Sequence, residues 1–176
     1  MSEIAIRPAV VADAPAIAGV HVHAWQVGYR GIVPDAVLEA QSVSERTGQW
    51  RDWLTSRAGP RGESRTLLAQ AGVSVIGFAT VVATSSDADL DARTCELAAL
   101  YVDPNCWRQG VGRTLMDAAM ELGRAQGSEE MSLWVLTDNS AARAFYETLG
   151  FAADGASNTH QRSGEPTLRM RAPLGV

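Results

Sequence analysis

The chain has 176 residues, of which 46% are hydrophobic and 20% charged, a composition that suits one compact domain spanning residues 1–176. Its net charge of −5 excludes nucleic-acid binding through a basic surface. No apolar run approaches the length that spans a bilayer, and the N-terminal stretch lacks the layout of a secretory signal. We therefore expect a cytoplasmic protein with no membrane partner.

Cysteine and histidine usage indicates no metal site. Cys95 and Cys106 form no CxxC pair, so neither a zinc site nor a disulfide framework is implied. His21 and His23 are two residues apart on a predicted helix, so their side chains point to different sides. We expect reduced thiols and no bound metal.

The first half of the chain is predicted to contain a strand, two helical segments and a hairpin. A short strand at 4–7 stops at Pro8, and a helix follows from about Asp13. A second helical segment runs from Asp35 to about Trp53, either continuous or interrupted. The first helix carries an inward face and a neighbouring stripe of rings: Ile17, Val20, Ala24 and Val27 on the face, and His21, Trp25 and Tyr29 in the stripe.

The second half alternates strands and helices. Hairpin strands are expected at 65–70 and 73–82, and a fourth strand at 93–102. A helix from Gly110 to about Gly127, a buried strand at 131–136 and a helix from Asn139 to Gly150 follow. The last strands are expected at 151–153 and 167–171, around a polar loop at 154–165. This order predicts a mixed α/β sheet.

Residues 96–116 hold the pattern on which the functional prediction depends. A strand ends at Asp103-Pro104, and a polar loop leads through Gly110 and Gly112 into a helix. The first N–H groups of a helix have no partner inside it, and the macrodipole makes that end positive. Glycines let the backbone approach a ligand closely, so the loop predicts a phosphate cradle.

Two common phosphate-binding motifs do not fit this loop. Leu115 stands where a dinucleotide fingerprint needs a third glycine, and the chain has no lysine for a phosphate-loop NTPase. The loop resembles instead the acetyl-CoA-binding segment of the GNAT superfamily of N-acetyltransferases, usually written Gln/Arg-x-x-Gly-x-Gly/Ala, although Trp107 replaces its first residue. A second block, NSAARAFYETLGF at 139–151, matches the superfamily pattern Asn-x-x-Ala-x-x-Phe-Tyr-x-x-x-Gly-Phe.

The resemblance covers essentially the whole chain and implies both a fold and a cofactor. Members have a mixed central sheet of about seven strands flanked by about four helices, with the fourth and fifth strands splayed and acetyl-CoA in the gap. A backbone amide at Leu100 or Tyr101 would receive the thioester carbonyl. The positions that match cofactor-binding residues are Leu100, Tyr101, Val102, Arg108, Gln109, Gly110, Val111, Gly112, Arg113 and Asn139.

The resemblance also implies the catalytic groups. An amine of pKa about 10.4 is almost wholly charged at neutral pH, so transfer to it needs a base. Glu96 lies at the superfamily's base position, and on a regular strand it shares a face with Ala98, Leu100 and Val102. Tyr146 matches the usual tyrosine acid, which is protonated at neutral pH. A solvent-facing carboxylate and a tyrosine that caps the core are the alternatives.

The acceptor is less closely defined. The first helices line the acceptor pocket in the superfamily, so Trp25 and Tyr29 are substrate candidates, with ordinary core aromatics as the alternative. We expect a primary amine, with a small molecule favoured. A protein N-terminus or lysine as acceptor and a non-catalytic acyl-CoA-binding module stay open, as does a homodimer, since dimers are common among relatives.

Overall fold

The computed structural model describes residues 4–56, 58–59 and 62–175. Its sheet has seven strands in the order β1-β2-β3-β4-β5-β7-β6. The strands are β1 Ile4–Pro8, β2 Gly62–Ala71, β3 Ser74–Val82, β4 Thr94–Val102, β5 Glu130–Leu136, β6 Ala152–Thr159 and β7 Pro166–Pro173. A two-residue strand, Ala58–Gly59, pairs with the start of β2.

The helices are α1 Ala14–Gly28, α2 Asp35–Glu39, α3 Val43–Ser56, α4 Val111–Ala125 and α5 Ser140–Glu147. Neighbouring strands are antiparallel, except that β4 and β5 are parallel. The predicted mixed α/β fold is confirmed. Within the described ranges, no helix is long and apolar enough to cross a bilayer. The same ranges group no three His, Cys, Asp or Glu side chains as a metal site, and both cysteines are free thiols.

A layer of helix covers each face of the sheet. On one face, Leu115 and Met116 of α4 pack against Leu133 and Met170 of the sheet. On the other face, α1 and α3 supply Ile17, Ala18 and Trp50, which pack against Leu68 and Phe78. The amphipathic pattern of α4 therefore decides which side of that helix meets the strands.

The parallel pairing of β4 and β5 is short. It consists of the pairs Thr94–Glu130, Cys95–Met131 and Glu96–Ser132. Beyond Glu96, β4 continues along β3 over residues 97–102, while its other edge is no longer paired with β5. The predicted splay of the fourth and fifth strands is confirmed, and it opens a gap in the sheet at Glu96.

A β-bulge at Ala98 changes which side chains of β4 share a face. Thr80 pairs with Ala99 and Val81 pairs with Leu97, so Ala98 is the extra residue. Before the bulge, Cys95 and Leu97 pack in the α4 core, whereas after it Leu100 and Val102 do so. The predicted common face of Glu96, Ala98, Leu100 and Val102 is therefore wrong. Glu96 lies on the α1 side of the sheet, the side that Ala99 and Tyr101 share.

Other departures from the sequence predictions have local causes. β6 extends to Thr159, into the expected loop at 154–165, as an edge strand that is mostly exposed and slips in register after Ala153. Such a polar edge lacks the apolar alternation that identifies a strand. Val27, predicted to face inward, is 42% exposed because α1 ends at Gly28. The second helical segment is interrupted between Glu39 and Val43.

Candidate active site

The loop between β4 and α4 presents a run of main-chain N–H groups. Gly110 caps α4 with φ 85°, and Arg108, with φ 61°, is the one non-glycine residue of the described chain with a positive φ. Strained backbone of this kind clusters at ligand sites. The N–H groups of residues 108–113 donate to no other part of the described chain. Six adjacent donors at the positive end of a helix fit a diphosphate.

The two glycines of this loop have different reasons for being glycine. Position 110 requires glycine because its backbone has a positive φ, which side chains with a Cβ rarely adopt. Position 112 does not, because a Cβ there would lie 3.6 Å from the ring of Phe145, an ordinary contact. The small residue at 112 thus lies between the start of α4, the Phe145 ring of α5 and the side chain of Val102 at the end of β4.

Trp107, which departs from the usual motif, ties the loop to its surroundings. Its indole N–H donates to the carbonyl of Val102 at 2.8 Å. Its ring lies against Gly28 at the end of α1. The tryptophan thus fixes the loop to both the end of β4 and the end of α1.

The backbone of β4 offers selected groups to the gap. The N–H of Asp103 bonds to the carbonyl of Ile76 at 2.8 Å. Hydrogen-bonded pairs alternate along an antiparallel ladder, so Tyr101 bonds to β3, whereas Leu100 and Val102 direct their N–H and C=O groups away from it. Since Trp107 uses the Val102 carbonyl, the N–H groups of Leu100 and Val102 and the Leu100 carbonyl face the gap.

All three tyrosines of the chain meet beside this gap. Tyr29 at the end of α1 and Tyr101 on β4 interact through their hydroxyls, and Tyr146 of α5 is close enough to act electrostatically on Tyr101. Burial raises the pKa of each phenol, and Tyr29 raises the pKa of Tyr146 further. The Tyr146 ring packs near Phe145 and Phe151, at 5.4 and 5.8 Å between centroids. Tyr146 is therefore protonated throughout the physiological pH range.

Glu96 lies at the closed end of the gap, at the last residue pair that joins β4 and β5. It is 6% exposed, and its Oε2 accepts from the N–H of Ser86 at 3.5 Å. The loop that carries Ser86 is held in place by Trp134, whose indole N–H donates to Asp87 at 3.0 Å. The structure therefore sets the predicted base at the point where β4 and β5 separate, on the α1 side.

Comparison with known proteins decides the family. The model of the acetyltransferase (GNAT) family matches residues 29–151. The chain belongs to the GNAT acetyltransferase family. The prediction of an acetyl-CoA-dependent acyltransferase is confirmed at that level.

Relatives of this GNAT protein match different shares of its length. A probable N-acetyltransferase of Mycobacterium tuberculosis is 29% identical over 158 residues, which are 90% of this chain and 85% of that protein. A mycothiol acetyltransferase of Beutenbergia cavernae is 44% identical over 61 residues, 35% of this chain and 20% of that protein. The PaiA N-acetyltransferase of Thermoplasma acidophilum, solved with coenzyme A, has a TM-score of 0.77 at 23% identity, with 97% of this chain and 99% of that chain covered. At that identity the likeness shows the fold alone.

The remaining predicted residues of this GNAT protein have structural roles as well. Asn139 caps α5, since its Oδ1 accepts from the N–H of Ala142 at 3.1 Å. Trp25 is 4% exposed and packs on Tyr29 and His160, at 4.4 and 5.3 Å between ring centroids. Its indole N–H is buried, with no hydrogen-bond partner in the described chain. Trp25 is thus part of the core and also carries an unused donor beside Tyr29.

Several side chains near the tyrosines were not predicted from the sequence to be site residues. The His21 ring stacks on Tyr101 at 4.4 Å, and its Nδ1 accepts from the Trp50 indole at 3.1 Å. Burial, together with the charges of Arg46 and Arg162, lowers the pKa of His21 to about 3, so this histidine is neutral at physiological pH. The spacing of Arg46 and Trp50, four apart on a predicted helix, was the available signal that both share one face.

Proposed function

We propose that this protein transfers the acetyl group of acetyl-CoA directly to a primary amine, with a small molecule as the favoured acceptor. The observation that carries the proposal is the gap itself. It opens at a buried carboxylate, Glu96, and leads along β4 to six unpaired amides at the start of α4. Acetyl-CoA would supply an activated thioester carbonyl.

The backbone provides most of the cofactor contacts in this proposal. The amides of residues 108–113 bind the diphosphate, and Leu100 and Val102 pair with the pantetheine as an added strand would. The N–H of Leu100 is the oxyanion donor, because the ladder directs the Tyr101 amide to β3 instead. The side-chain amide of Asn139 can bond the cofactor while its oxygen caps α5.

Glu96 acts as the general base. Because it lies on the α1 side of the sheet, the amine approaches from that side, opposite to α4. An ammonium that reaches the buried carboxylate loses its proton to Glu96, directly or through a water molecule, and the free amine then attacks the thioester.

Tyr146 acts on the departing sulfur. Its raised pKa keeps the phenol protonated, so it donates a hydrogen bond that strengthens as negative charge develops on the sulfur. An ammonium loses two protons on becoming an amide. Glu96 passes the first to solvent, and the second, released by the nitrogen after its attack, balances the one that the thiolate finally gains. The transfer therefore needs no covalent acetyl-enzyme.

The acceptor side favours a small molecule. Trp25 and Tyr29 line it, and the loop between β6 and β7 closes over it, because His160 packs on Trp25 and Arg162 bonds to Gln49 of α3. A peptide acceptor would need an open groove there.

Two measurements test the proposal. Titration calorimetry should show acetyl-CoA binding. Absence of binding at millimolar cofactor would contradict the proposal. Thiol release with a panel of small amines and peptides then separates the alternatives. Release with small amines supports the proposal, release with peptides alone indicates a protein acetyltransferase, and no release above background indicates a non-catalytic acyl-CoA-binding module.

A further inference from the structure

Arg46 is a buried cation whose hydrogen-bond partners are neutral. It is 8% exposed on α3, where Nη2 donates to Gln41 at 2.6 Å and Nη1 to Gln49 at 3.0 Å. Within the described chain Arg46 forms no ion pair. The neighbouring Glu45 is exposed and interacts with Arg46 only through long-range electrostatics. Arginine is rarely this buried without a counter-ion. The protein's own groups therefore leave its charge largely uncompensated.

Among the described residues, the other deeply buried arginine has a different set of partners. Arg169 is 4% exposed and pairs with three carboxylates, Asp87 at 3.2 Å, Asp89 at 2.6 Å and Asp154 at 2.7 Å. A structural arginine in this fold is thus fully paired. Arg46 does not follow that pattern, so a purely structural role does not account for it.

A second guanidinium reaches the same point. Nη2 of Arg162, from the loop between β6 and β7, donates to Oε1 of Gln49 at 3.3 Å, the oxygen that Arg46 also uses. Two like charges therefore converge on one neutral amide oxygen. Gln49 and Arg162 are both exposed, so solvent reaches this point although Arg46 itself is buried.

The two arginines lie on the acceptor side of the sheet. α3 packs on the face opposite to α4, so they are separate from the amides that we assign to the diphosphate. His21 stacks on Tyr101 next to them, and the charge of Arg46 acts on the Tyr101 hydroxyl. Arg46 is therefore close enough to the tyrosine cluster for its charge to act on a group bound there.

We propose that Arg46 and Arg162 bind the carboxylate of an acceptor of the amino-acid class, at the position that the Gln49 amide oxygen holds in this structure. A carboxylate accepts from two guanidiniums more strongly than a neutral amide does. The inference rests on the proposed function, because it names the substrate class of the same site.

The test compares free amino acids with their amides, which differ only in the carboxylate. Thiol release from acetyl-CoA gives kcat/KM for each pair. We expect the carboxylates to be preferred by roughly tenfold or more, the value of a hydrogen bond between charged groups. Arg162→Gln should reduce this preference, and Arg51→Gln, an exposed arginine on the same helix, should retain it.

A second variant introduces a charge at Gln49, so that no buried residue has to be removed. Gln49→Glu places a carboxylate between the two arginines, so it should raise the melting temperature and abolish the preference for carboxylate acceptors. Calorimetry with N-acetyl amino acids and their amides, without acetyl-CoA, gives a readout independent of activity. Only the carboxylates should bind, and Gln49→Glu should prevent it.

The outcomes separate this inference from the proposed function. Carboxylate-dependent binding without thiol release contradicts the enzyme and supports the site. The site is overturned if acids and amides give equal rates of thiol release, or if Gln49→Glu keeps the preference for acids. It is also overturned if both series bind equally or if neither binds.

Discussion

The surroundings of Tyr146 hold its phenol in the protonated form. Burial, followed by the neighbouring Tyr29, raises its pKa above the ordinary value. Such a group is a poor base and a lasting hydrogen-bond donor, which suits stabilisation of a departing thiolate. We assign Glu96 to the amine instead, so the two groups have separate tasks on the two reactants.

Replacing Tyr146 tests the donor role. Tyr146→Phe should lower kcat by about 100-fold, the lower range for general acid–base groups, and leave the Kd for acetyl-CoA unchanged. Steady-state kinetics and calorimetry measure the two quantities. Tyr29→Phe removes a neighbouring hydroxyl and should act on KM for the amine instead. An unchanged kcat in Tyr146→Phe would remove this residue from the mechanism.

Replacing Glu96 tests the base. Glu96→Gln should lower kcat about 100-fold at neutral pH. The deficit should shrink as the pH rises toward about 10.4, because the acceptor then loses its proton without help. A rate profile from pH 7 to 10 measures this, with the exposed Glu129→Gln as control. A deficit that is constant with pH would contradict a base role.

Among the elements, the start of α4 shows how helix geometry becomes a binding site. Its free N–H groups are a property of every helix, and here two left-handed residues in the preceding loop add further donors. Trp107 holds this loop against β4 and α1 through one hydrogen bond and one ring contact. The cradle is therefore preformed by the chain.

A substitution at Gly112 tests whether this loop binds the cofactor or is only a turn. Gly112→Ala should weaken acetyl-CoA binding by roughly tenfold, because the added methyl group takes up space beside Val102, whose backbone we assign to the cofactor. The melting temperature should stay the same, since the methyl group meets only an ordinary contact in the protein. Gly48→Ala, a helical glycine with open space around it, is the control and should leave affinity unchanged. Unchanged affinity in Gly112→Ala would contradict the assignment.

At the scale of the whole molecule, the ion-pair network of Arg169 connects distant parts of the chain. Its guanidinium on β7 joins Asp87 and Asp89 of the loop after β3 to Asp154 of β6. The hydrogen bond from Arg169 lowers the pKa of Asp89 to about 2. The network thus holds the loop that carries Ser86 over Glu96.

This network predicts how stability depends on pH. An aspartate whose pKa is lowered by folding stabilises the fold at pH values above its unfolded pKa of about 3.9. This contribution is lost as the pH falls through the pKa of the aspartate in the folded state. Melting temperature should therefore fall between about pH 4 and pH 2, and Asp89→Asn should make that fall shallower. Calorimetric melts across this range measure it, and identical slopes would contradict the pairing.

The sequence alone determined the local chemistry of this protein. The strand, loop and helix around Gly110, the Asn139 cap and the order of elements follow from backbone geometry and apolar periodicity, which act over a few residues. The resemblance carried by two motifs then supplied the family. These features are local, so they can be predicted without knowing what packs against them.

Only the tertiary structure decided which groups share a space. The bulge at Ala98 puts Glu96 on the face opposite to Leu100, although a regular strand would put both on one side. The meeting of Tyr29, Tyr101 and Tyr146, and of Arg46 with Arg162, joins residues from separate elements. Such contacts depend on strand register and on how loops fold back over the helices, which no local pattern encodes.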